Sequence, residues 1–249
     1  TPLGAWKFPV GSVTVKHFDI TLADGSTRRL ETRVLKRTRE GWRGASYRWN
    51  AAQTDARLVT NTERETLQVR GPDGAPRTQT WEYPGQSACL RCHTESAGFV
   101  LGLNTPQLNR RGIETAQNQL LAFGQAGLFG TDIADPGSYA RLPNPLRTTS
   151  SLPERARAYL HVNCSQCHRP GGPTNVDMDL RWLTPVARMR THGVAPTGGD
   201  LGIAGARRID PGSRETSLVW QRIRRLDKKR MPPLGSHVVH GAGVALVGE

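Results

Sequence analysis

All four cysteines of the chain fall in two copies of one pattern, Cys89-Leu90-Arg91-Cys92-His93 and Cys164-Ser165-Gln166-Cys167-His168. Each copy sets two thiols three residues apart and an imidazole directly behind the second. That spacing is the attachment signature of haem c, in which the thiols become thioethers to the vinyl groups and the adjacent His is the proximal iron ligand. The expectation is two covalently bound haem c groups, one held by Cys89, Cys92 and His93, the other by Cys164, Cys167 and His168. The same residue types serve two other chemistries: two Cys-x-x-Cys pairs are half-sites of a zinc ribbon, and one pair alone is a redox dithiol. A separation of 75 residues, with a His locked behind each pair, suits these less well.

Axial ligation supplies the next residues. Met231-Pro232-Pro233-Leu234-Gly235 lies 63 residues after His168, a distance over which a small cytochrome wraps its haem and returns with a thioether. Met231 is therefore expected opposite His168, where soft sulfur favours ferrous iron and raises the potential. No Met-Pro follows Cys89 to His93. His17, on the predicted strand face of Val13 and Val15, and His161, three residues before Cys164, are the candidates for that sixth position, with His192, Met178 and Met189 behind them. Water or a vacancy there also stays open, and an open iron would suit a dihaem peroxidase or oxidase rather than an electron carrier.

The elements that must position these groups follow from periodicity and punctuation. Residues 1–80 read as a small antiparallel β region packing on the first haem lobe: alternation around Val13 to Phe18, an Asp24-Gly25 turn, strands near Arg29 to Leu35, Ala45 to Trp49 and Thr66 to Val69, and a turn at Gly71 to Gly74. Residues 81–130 form the first c-type haem lobe, with a short helix after Pro84-Gly85, an N-cap and N1 pair at Thr105-Pro106, and a helix from about Glu114 to Phe123. Residues 131–150, with Pro136, Pro143 and Pro145, are a linker. Residues 151–249 form a second, cytochrome c-like haem domain. It opens on the capping box Ser151-Leu152-Pro153-Glu154, continues with a helix near Leu218 to Leu226, and ends in a helix from Val238 to Val247. A carbonyl of the Pro170 to Pro173 turn is expected to accept the non-ligating proton of His168. The fold class is α+β, a β region followed by two mainly helical lobes.

Composition narrows the setting. With 249 residues, a net charge of +13, and 29 arginines to five lysines, the chain carries a basic surface without a recognition module or a dense basic tail. That excludes nucleic acid and favours docking to an acidic face of a redox protein partner; the run from Arg222 to Arg230 is a candidate rim. No apolar stretch reaches the length of a membrane span. A start at Thr1 and haem attachment after export suggest a mature or internal piece of a periplasmic or extracellular protein.

Taken together, Trp6 to Gly11, Tyr47 to Asn50, Gln53 to Ala56, Cys89 to His93, Leu101 to Leu103, Tyr159 to His168, Pro170 to Gly172 and Arg230 to Gly235 resemble a family of exported bacterial dihaem c-type cytochromes. Its C-terminal domain is similar to class I cytochrome c, and its members occur alone or beside β-propeller sugar-dehydrogenase-like domains. The resemblance implies single-electron transfer, with a dehydrogenase as donor, and a carrier or electron-transfer subunit rather than a self-contained enzyme.

Overall fold

The computed structural model describes residues 6–112, 116–131, 133 and 135–249, and the chain divides into two compact units. Phe8–His93 and Arg225–Val239 form a sheet unit; Thr94–Arg224 and His240–Glu249, with Trp6 and Lys7, form a cleft unit.

In the sheet unit, β1 (Val13–Thr21), β2 (Thr27–Thr38), β3 (Gly41–Trp49) and β4 (Ala56–Leu58) make an antiparallel sheet in chain order, and β5 (Glu63–Arg70) pairs with β6 (Pro76–Tyr83). The β1–β2 turn closes because Asp24 accepts the Ser26 N–H at 2.9 Å while Gly25 takes φ +87°, which glycine adopts without steric cost. Leu30, Val59, Leu67, Val69 and Tyr83 form the core, each aliphatic contributing about 1.5–3 kcal/mol by burial. The hydroxyl of Tyr83, the one polar side chain of that cluster, donates to Glu65 at 2.6 Å, and Glu65 also accepts from Arg28 and Arg48. A short helix, α1 (Gln86–Cys89), rests on β3 where Gly44 leaves room: a β-carbon there would lie 2.8 Å from the Cys89 Sγ.

The cleft unit holds α2 (Thr105–Leu108), α3 (Gln119–Gln125), α4 (Leu152–Cys164), α5 (Leu218–Ile223) and α6 (Gly241–Gly248) in long irregular segments. Helix α4 starts at the expected capping box, in which the Ser151 N–H and O–H both donate to Glu154, at 3.0 and 2.7 Å. Its inner face packs Leu160 against Met178, Leu180 and Met189, with Cys164 and Val247 at the margin.

Two mainly helical lobes are not what forms. The fold is α+β with a four-stranded and a two-stranded antiparallel sheet and, among the described residues, six helices of which only α4 runs well beyond two turns. With 27 glycines and 17 prolines the chain is interrupted too often for helices to propagate beyond their costly first turn. Boundaries move accordingly. Asn104, not Thr105, caps α2, and its carboxamide oxygen accepts the Gln107 N–H at 3.1 Å. Asn118 caps α3, whose expected start at Glu114 lies outside the described residues. Among the described residues no helix is long and apolar enough to cross a membrane.

Candidate functional site

The two Cys-x-x-Cys-His segments lie in different units. In the sheet unit Cys89 ends α1, and burial raises its thiol above the ordinary cysteine range against the opposing pull of Arg33. In the cleft unit Cys164 ends α4; its half-buried side chain packs on the Leu160 cluster, and burial pushes the thiol up to about 12. The following turn is closed by the Cys167 and His168 N–H groups donating to the Cys164 carbonyl at 3.1 and 2.9 Å. The His168 imidazole is driven toward its neutral form by burial and by Arg208 and Arg222. Its Nδ1 is buried and has no hydrogen-bond partner among the described residues. The carbonyl expected from the Pro170 to Pro173 turn does not reach it, because that turn folds back on itself, with the Gly172 N–H donating to the Arg169 carbonyl at 3.0 Å.

Met231 belongs to the sheet unit, whereas His168 belongs to the cleft unit. His17 is exposed on β1 and bonded through Nδ1 to the Thr32 hydroxyl at 2.7 Å, and its neighbours Val13 and Val15 are 51% and 56% exposed. Met178 and Met189 are buried core. His161 is held within the cleft unit: its Nδ1 lies 3.1 Å from both the Trp182 N–H, which donates to it, and the Ser165 hydroxyl.

A different group of residues converges on a cleft of about 1070 Å³ in the cleft unit. Arg110 and Arg111 come from the end of α2, Arg141 and Arg147 from the proline-rich segment, and Tyr159, Trp182 and His240 supply rings. Helix α4 organises this site through successive stripes. Tyr159, Val162 and Asn163, at helical i, i+3, i+4 spacing, face the cleft. Arg157 and His161, one turn apart, grip Trp182: Arg157 donates to its carbonyl at 2.7 Å and His161 accepts from its N–H. The Tyr159 ring stacks on His240 with centroids 5.6 Å apart, over Gly243 of α6, where any side chain would overlap that ring. The arginine-bearing segment is tied down by Asn109, 4% exposed, whose amide donates to the carbonyls of Pro136 at 2.8 Å and Tyr139 at 3.0 Å. Leu142 N–H donates to Pro106 and Arg155 to Pro145, at 2.8 and 3.0 Å.

The cleft is strongly cationic. Among the described residues Glu154 is the one acid lining it, and its carboxylate is engaged by Ser151, whose side-chain and backbone hydrogen bonds hold it below the ordinary carboxylate range. Arg110, Arg141 and Arg147 make no ion pair with any described residue. None of these residues stands out in the sequence as a site. The one signal was an arginine at each end of Arg141-Leu-Pro-Asn-Pro-Leu-Arg147, which reads as a connection.

No protein-family model, no curated protein and no solved structure matches this chain. The resemblance to exported dihaem c-type cytochromes therefore finds no counterpart. Among the described residues no three His, Cys, Asp and Glu side chains group where a metal ion would be held, and no disulfide joins the four cysteines. The expectation of two haem c groups, with single-electron transfer or a peroxidase-type open iron, is corrected on these findings. The physical reason lies in the donors themselves: the Cys164 side chain packs on the apolar cluster of Leu160, Met178, Leu180 and Met189.

Proposed function

We propose that this chain binds a small anionic molecule carrying a planar ring, in the cleft of about 1070 Å³. One observation carries the reading: four arginines line a single cleft, and none of them has a carboxylate partner among the described residues. Gathering guanidinium groups in a concave, partly apolar site concentrates positive potential there, and a bound carboxylate or phosphate offsets their repulsion while accepting their forked donors bidentately. Tyr159, Trp182 and His240 offer faces on which a ring would lie. The volume is that of a site for a small molecule rather than a polymer.

Calorimetric titration with naphthyl phosphate tests it, against neutral naphthol and inorganic phosphate. Naphthyl phosphate should bind once per chain and more tightly than either fragment. Arg141→Ala and Arg147→Ala should each weaken it about tenfold, or about 1.4 kcal/mol, and added salt should weaken it further. Equal affinity for naphthol, or arginine variants that bind as the parent does, would overturn the reading.

A further inference from the structure

The outer face of the four-stranded sheet is a second surface, independent of the cleft. Residues opposite one another in an antiparallel register share a face. The pairs Val15↔Val34 and Val34↔Ala45 therefore form one row, and His17↔Thr32, Thr32↔Tyr47 and Tyr47↔Leu58 form the next. Val13, Val15 and Leu58 on this face are 51%, 56% and 40% exposed, whereas the opposite face buries Leu35 and Ser46 and carries α1 at Gly44. At one end of the apolar rows stand Lys36 and Arg43, directly paired across β2 and β3. Both are exposed, and neither has an ion pair with any described residue.

The geometry points to a docking face for an acidic protein that sets an apolar spot on Val13, Val15, Val34 and Tyr47 and carboxylates opposite Lys36 and Arg43. Charge selects this occupant over a second copy, since two chains each carrying +13 repel. Size sets its strength: three rows along the strands and three strand spacings across give roughly 200 Å² of apolar surface, well under the roughly 800 Å² per partner of a stable complex. The encounter is transient and salt-sensitive.

The probe is a synthetic amphipathic helix with leucine on one face and glutamate along its margins, titrated into the full chain and followed residue by residue by NMR. Shifts should cluster at Val13, Val15, Val34, Tyr47 and Leu58, and Lys36→Glu with Arg43→Glu should weaken binding at least fivefold without changing the spectrum elsewhere. Shifts mapping to other surfaces, or an affinity unchanged by both charge reversals, would overturn the proposal. So would a dimer in sedimentation that Val15→Glu dissolves, or binding to phosphatidylserine vesicles in place of the peptide.

Discussion

The Trp182 backbone N–H donates to Nδ1 of His161 at 3.1 Å, so the imidazole serves as a neutral acceptor inside the cleft unit. Burial, followed by the positive charges of Arg169 and Arg181, lowers its pKa from the ordinary 6.5 to about 4. Between those values the unfolded chain binds a proton that the folded chain refuses. Stability from this group is complete above about pH 6.5, falls as pH drops toward about 4, and levels off below that. The loss is about 3 kcal/mol. Urea midpoints of the parent and His161→Phe, measured across that window, should converge as the pH falls, because only the parent loses this contribution; a constant gap would contradict the assignment.

The cleft floor depends on a missing side chain. Gly243→Val places a branched side chain where the Tyr159 ring lies against α6. That ring must tilt away from His240, at a cost of about 1–3 kcal/mol. The expected result is a lower melting temperature together with weaker binding of naphthyl phosphate, while phosphate alone, held by the arginines, binds as before. Retention of the ring-dependent affinity would show that Tyr159 does not form the floor.

Thiol chemistry should single out Cys164. Only the thiolate is nucleophilic, and the Cys164 thiol is pushed up to about 12 by burial. Its alkylation in the native protein should be about a thousandfold slower than that of a thiol near the ordinary value. Iodoacetamide followed by peptide mass mapping should find Cys164 modified last in the folded chain and all four cysteines modified alike in denaturant. Early modification of Cys164 would place its sulfur outside the Leu160 cluster.

The chain order of β1, β2, β3 and β5, the turns at Gly25 and Gly74, and the start of α4 at Ser151 were legible because each rests on short-range rules. Alternation, a left-handed glycine and a capping box act within a few residues. The helical lobes were not legible as absent, since Cys-x-x-Cys-His and Met231-Pro232 state which donors exist but not which compact unit holds them. The tertiary structure assigned Met231 and His168 to different compact units, buried Met178 and Met189 as core, and made Nδ1 of His161 the acceptor of the Trp182 N–H. It also gathered Arg110, Arg111, Arg141 and Arg147 around α4. Solvated arginines scattered over some forty residues look alike in sequence. Only the folding-back of the proline-rich segment, pinned by the buried Asn109 amide, makes them one electrostatic site.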